Sequence, residues 1–332
     1  MIHLRLVVPR PLAAQVRSLL CESSAVSSVI HLEGAAVKPE GDVILCDVAR
    51  EDASVILGDL RELELHESGT IAVEEVDTAI SRAAIEAEKA AAGLPSDAVV
   101  WEEVEARTSE DTELSASFLA FMALATMIAA IGIMIDSQIL IIGAMVVGPE
   151  FGPIAGFSVA AVHRRRDLAT RSIAALAAGF PVAVTAAFVL TLLLRAAGAT
   201  PGEIAERPFT DFISHPDEFS AIVAFLAGTA GTLSLTSAKS GALIGVLISV
   251  TTIPAAGNVA VAAAYGDGHE WVGAMEQLSV NLTAIIAAGI LTLYVQRRIY
   301  VRRRASHLED PVREAAGLPV GASRRARPRR RA

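Results

Sequence analysis

The sequence predicts an α-helical polytopic membrane domain preceded by a small, soluble α+β domain. Three observations carry this reading. Six apolar runs of near-spanning length follow residue 114, and none precedes it. Charge is segregated: residues 1–116 hold 9 Lys/Arg against 23 Asp/Glu, residues 297–332 hold 12 Arg against 3 acids, and the stretch between holds 7 against 11. The 332-residue chain is 53% hydrophobic with a mean hydropathy of +0.50, which places its bulk among membrane proteins.

The soluble part alternates strand and helix patterns. "IHLRLVV" (2–8) alternates apolar and polar residues, as a half-buried strand does. "PLAAQVRSLLCES" (11–23) has helical spacing. Residues 25–49 read as two strands around a Pro-Glu-Gly-Asp turn. "EDASVILGDLREL" (51–63) is a second helix and "TIAVEEVDT" (70–78) a last strand. The order βαββαβ is that of a ferredoxin-like sandwich, assigned to residues 1–80. Cys21 and Cys46 are the two cysteines, and neither calls for a disulfide or a metal site. No signal-peptide pattern opens the chain.

Residues 81–114 read as a helical, acidic linker. A helix in 82–95 ends at Gly93 and Pro95, and a second polar helix covers 97–114. Trp101 is expected at a contact between domains.

The transmembrane domain is assigned to 115–300, with spans at about 115–135, 138–162, 168–194, 219–236, 240–264 and 272–296. Basic connections at "HRRRD" (163–167), Lys239 and "QRRIYVRRR" (296–304) fall on one side. "IDSQ" (135–138), the acidic 196–219 and "YGDGHE" (265–270) fall on the other. The positive-inside rule makes the first side cytoplasmic, with both termini there, and the location a cell membrane. Residues 301–332 are expected to be a basic, disordered cytoplasmic tail. Its "SRRARPRRR" (323–331) fits anionic lipid better than nucleic acid, because it follows a membrane end.

A shift of 101 residues lays the second half of this domain on the first. "AFMALATMIAAIGIMIDSQ" (120–138) falls on 221–239, Pro153 on Pro254 and Gly156 on Gly257. Three spans per unit (115–195 and 219–297) force opposite insertion, which gives a 3+3 inverted repeat. The second span is interrupted by "GPEFGP" (148–153) and the fifth by "SVTTIPAAG" (249–257), at matching places. Proline removes a backbone donor and glycine weakens the helix, and such breaks survive only inside protein or beside a wet cavity. Pro153 and Pro254 suit the first turns of two new half-helices. Their positive ends would then face one region near the midplane, beside Thr251, Thr252 and Asn258.

Glu150 lies within this break. It is 12 residues past Gln138, about 18 Å along a helix and near the centre of a ~30 Å hydrocarbon core. A charged carboxylate there costs at least about 2.5 kcal/mol, so it reads either as a coupling group that takes up a proton or cation, or as a hydrogen-bonded structural carboxyl. Gly148, Pro149, Gly152 and Pro153 complete the candidate binding segment with Thr251, Thr252, Pro254 and Asn258. The structural alternative for both breaks is bending and close packing. Gly179, Phe180 and Pro181 read as a kink in the third span, and Asp136 and Gln138 as a tight turn. No P-loop, GxGxxG, HExxH or GxSxG pattern occurs, so no enzyme chemistry, cofactor or metal site is predicted.

"DSQILIIGAMVVGPEFGPIAG" (136–156), followed a hundred residues on by "TTIPAAGNVAVA" (251–262), resembles the hydrophobic membrane family catalogued as domain of unknown function 389. The resemblance covers residues 115–300 and is most specific around Gly143, Ala144, Met145, Pro149, Gly152 and Pro153. The ferredoxin-like stretch is similar to one that some members carry. The family pattern has an apolar residue after the first proline, where this chain has Glu150. The resemblance implies a topology and no settled activity.

Three functional readings follow. The first is a secondary carrier of a small solute or ion, proton- or cation-coupled through Glu150. The second is an oligomeric ion channel, and the third a membrane-anchored sensor or scaffold that uses the ferredoxin-like domain. Two positive helix ends favour an anionic solute and Glu150 a proton, so a proton-coupled small anion satisfies both. Ala- and Gly-rich spans permit close packing and a homo-oligomer.

Overall fold

In the computed structural model, residues 1–76, 78–91, 98–200, 210, 213, 218–237 and 252–320 are described. The chain divides into two compact units. One comprises Met1–Glu103, Thr236–Ala238 and Gln296–Ala332, the other Val104–Leu235 and Lys239–Val295.

The first unit opens with β1 (Ile2–Val8), α1 (Arg10–Glu22), β2 (Val26–Val37), β3 (Glu40–Val48) and α2 (Arg50–Glu62). It continues with α3 (Leu65–Ser68), β4 (Thr70–Glu75) and α4 (Arg82–Ala90). The βαββαβ order read from the sequence is present, with the one-turn α3 added before β4. The sheet is antiparallel in the order β2-β3-β1-β4. Ile2, Leu4, Leu6 and Val8 point to one face, as period two requires, and meet Ile44, Cys46 and Val48 of β3. Val16, Leu19, Ile56, Leu57 and Leu60 of the two helices cover that face. On the other face, Asp47 accepts hydrogen bonds from His3 (2.7 Å) and Ser28 (2.6 Å). Asp42 accepts from the Gly34 N–H and the His31 ring, at 2.8 Å each, and these two bonds hold its carboxyl below its usual range.

The helix α5 (Trp101–Asp111) starts in this unit. Arg50, almost fully buried, donates to Glu75 (2.7 Å) and Glu103 (3.2 Å), while Ser54 donates to Glu102 (2.6 Å). Trp101 is buried with its ring edge-on to Tyr300, centroids 6.2 Å apart, so its contact lies within the first unit.

The second unit holds α6 (Ala116–Met134), α7 (Gln138–Val147), α8 (Phe151–His163), α9 (Arg166–Ala196), α10 (Glu218–Thr236), α11 (Ile253–Tyr265) and most of α12 (Gly268–His307). Serines start the early helices: Ser115 accepts from Phe118 N–H (3.0 Å) and Ser137 from Leu140 N–H (3.4 Å). Asp136 takes a left-handed conformation between α6 and α7, the tight turn expected there. Helix α9 continues through Pro181 as one element.

Helices α6, α9, α10 and α12 are each long and apolar enough to cross a membrane. The pair α7–α8, bent by 53° at its break, makes a fifth candidate. The first part of the fifth expected span, 240–251, lies outside the described residues. Large apolar side chains such as Phe121, Ile139, Val146, Leu193 and Leu226 are exposed along these helices, as hydrocarbon-facing residues are. Several apolar helices of this kind fit a multi-pass membrane protein.

The helices recur in length and position. Helices α6 and α10 are both 19 residues, and α8 and α11 both 13. The starts 116, 151 and 166 recur at 218, 253 and 268, a separation of 102 residues each time. That is one more than the 101 separating the prolines, so Pro153 is third in α8 and Pro254 second in α11. The residues after α8 and α11, Arg164 and Gly266, both adopt the left-handed conformation.

The C-terminal expectation needs correction. Residues 301–320 are not a disordered tail. Helix α12 continues to His307, a short α13 (Val312–Ala315) follows, and Ala316 and Leu318 join the core of the first unit. Asp59 of α2, fully buried, binds Arg304 (2.6 Å), the His307 ring (2.7 Å) and the buried Arg313. Only residues 321–332 lie outside the described part of that expected tail.

Candidate functional site

The second span breaks where the sequence places Gly148 and Pro149. Gly148 ends α7 in an extended conformation, Pro149 follows, and Glu150 stands immediately before α8. Thr252 has the same station before α11. Both residues are completely buried, and the Thr252 hydroxyl donates to Glu150 Oε1 at 2.7 Å. The starts of the two half-helices therefore meet through their own preceding residues. Each N-terminus carries a partial positive charge and unsatisfied N–H groups, which makes this a suitable setting for a buried carboxylate.

Glycines give the carboxyl its room. A Cβ on Gly148 would strike Glu150 Oε2 and stand 2.8 Å from Ile253 Cγ1. A Cβ on Gly152 would stand 2.7 Å from the Asp111 carbonyl oxygen, so the first turn of α8 lies directly against the end of α5. Burial raises the Asp111 carboxyl above its ordinary value, and neighbouring Glu110 adds to this. Farther along, Gly156 faces Thr112 and Ser172, and His163 bonds Glu105 at 2.7 Å, with Arg165 on the other Glu105 oxygen at 3.2 Å. The acidic helix expected to be a linker thus supports the whole length of α8. The spacing of Glu105, Thr108 and Thr112 on one helical face was the available signal.

Of the predicted site residues, Gly148, Pro149, Glu150 and Thr252 come together at the break. Gly152, Pro153 and Pro254 form the first turns of the half-helices that flank it. Thr251 lies outside the described residues. Asn258 is buried and donates to Glu270 of α12 at 3.1 Å, a partner the sequence reading assigned to a loop. Among the described residues, no group of three His, Cys, Asp or Glu side chains converges as a metal site.

Residues 145–287 match the domain of unknown function DUF389. The resemblance read from the sequence is borne out over this stretch. The DUF389 match begins inside α7 and ends inside α12, so it takes in both half-helices and the Glu150–Thr252 hydrogen bond. An uncharacterized protein of Methanocaldococcus jannaschii is 26% identical over 193 residues, 58% of each chain. The chain therefore spans little more than half the length of that relative. No solved structure matches it.

Proposed function

We propose that this protein is a secondary carrier in the cell membrane, built as six spans in a 3+3 inverted repeat, with its solute or ion site at the two breaks. The observation that carries the reading is the hydrogen bond from Thr252 to Glu150, which joins two half-helix starts and links positions 102 residues apart. The recurrence of helix lengths at that same separation supports the repeat. Equivalent positions meet where a pseudo-two-fold axis passes, and inverted-repeat carriers place their sites at such midplane junctions.

In this reading Glu150 is the coupling group. Protonated, it is a neutral partner for Thr252; ionised, it is stabilised by two helix N-termini. The solute is a small anion, such as phosphate, sulfate or a short carboxylate. The ferredoxin-like domain and both termini are cytoplasmic, on the side of the 163–167 arginines, where residues 323–331 meet anionic lipid. The Ala- and Gly-rich spans permit close helix packing between copies, and the reading takes the carrier as a homo-oligomer.

The test is proton flux into proteoliposomes loaded with a pH-sensitive dye, with each of these anions outside in turn. An anion-dependent proton flux is expected, with at least about a tenfold loss in Glu150→Gln, the typical share of a positioned proton-transfer group being larger still. A flux indifferent to that change removes Glu150 from the mechanism. Absence of flux for every anion and cation, with the soluble domain intact or deleted, favours the sensor reading instead.

A further inference from the structure

At four places α11 and α12 carry a carboxylate or a carboxamide where α8 and α9 carry apolar residues. Glu270, Ala274, Gln277 and Asn281 follow one another at helical spacing on α12. Gln277 and Asn281 are buried, as is Asn258 on α11. Asn258 donates to Glu270 (3.1 Å), and Gln277 donates to Asn281 Oδ1 (3.4 Å). Gln277 Oε1 is buried and accepts no hydrogen bond among the described residues.

The helix pattern supplies an internal control. The positions 102 residues earlier are Gly156, Leu168, Ala175 and Gly179, all buried and none with a polar side chain. The same helical arrangement therefore packs without polar groups at these four places. Acquiring a carboxylate and three carboxamides there works against stability in an apolar surrounding, and polar residues so placed mark ion or substrate pathways.

The chemistry of the face narrows the ligand. Protonation satisfies a carboxylate but not a carboxamide oxygen, so Gln277 Oε1 calls for a donor or a cation. Carboxylate and carbonyl oxygens select hard cations, and a single carboxylate balances one positive charge. We propose that Gln277 and Asn281 hold a monovalent alkali cation, with Glu270 and Asn258 forming the charged approach to that station, distinct from the Glu150–Thr252 junction. Gln277 lies about two helical turns past Glu270 along α12.

The experiment is thermal unfolding of the purified full-length protein in detergent, titrated with NaCl or KCl against choline chloride at matched ionic strength. A ligand that binds only the folded state raises Tm in a saturable way. Trp271, next to Glu270, gives a local fluorescence signal in Trp101→Phe. A saturable, alkali-specific rise in Tm is expected, with a parallel Trp271 response. Gln277→Ala and Asn258→Gly install the residues found 102 positions earlier, and each is expected to weaken the apparent affinity at least tenfold. Glu150→Gln keeps the alkali-specific rise. Equal behaviour in NaCl, KCl and choline chloride overturns the proposal. So does a response intact in both carboxamide variants, or one abolished by Glu150→Gln alone, which assigns the cation to the junction.

Discussion

Gly148 is the residue on which the break closes. Any side chain there enters the space of the Glu150 carboxyl and of Ile253. Gly148→Ala should destabilise the fold by about 1–3 kcal/mol, the usual result of overpacking, and shift Tm down accordingly. A neutral outcome would mean that the junction is loose enough to yield, contrary to its complete burial. The two cysteines make a second residue-scale contrast. Burial pushes the Cys46 thiol up to about 12, whereas Cys21 is exposed. The thiolate is the reactive form, so iodoacetamide at pH 8 should label Cys21 and leave Cys46 unmodified until the first unit unfolds. Labelling at equal rates would contradict the described core. At this scale the sequence exposed Glu150 because an acid within an apolar run is conspicuous. It could not expose Glu270 as a partner of Asn258. That pairing depends on α12 starting at Gly268, inside a stretch whose Gly, Asp and His residues read as loop.

Among the elements, α2 carries a concentrated load of charge. Its Asp59 has no solvent exposure and receives two guanidinium groups and the His307 ring from the region after residue 300. Removing the charge leaves Arg313, itself buried, without its main counter-ion. Asp59→Asn should cost about 3–5 kcal/mol of first-unit stability, measured by chemical denaturation of the full chain. A loss below about 1 kcal/mol would mean that Glu62, which also contacts Arg304 and Arg313, suffices. The strands and helices of residues 1–76 were legible because periods of two and 3.6 are local properties. The docking of 301–320 was not. "RRRASHLEDPVREAAGLPV" has a polar, arginine-rich composition that reads as solvated, and its burial depends on a carboxylate some 250 positions earlier.

For the molecule as a whole, the C-terminal edge of the first unit's described core is a testable boundary. Deleting residues 321–332 keeps Arg313, Ala316 and Leu318 in place and should lower Tm far less than a cut that removes them. Deleting 308–332 removes Arg313 and Leu318 and should be as severe as Asp59→Asn, with earlier proteolysis of the sheet domain. Equal tolerance of both truncations would return 301–320 to the status of a tail. The general plan was legible: five of the six expected spans have described counterparts, because length and apolarity are written along the chain. The 102-residue recurrence was visible only to within one residue, since small apolar residues align at many offsets.

Under the proposed inverted repeat, the meeting of Glu150 with Thr252 has a consequence for how the two halves can differ. Where a position faces its own counterpart, identical residues must tolerate each other. Two glutamates there would set carboxylate against carboxylate, and one would be forced to keep its proton. Two threonines would leave the helix starts without an acceptor of full charge. A donor opposite an acceptor is the arrangement that two matched halves cannot reach while they remain alike, so this junction rewards divergence at the point where the rest of the pattern rewards likeness.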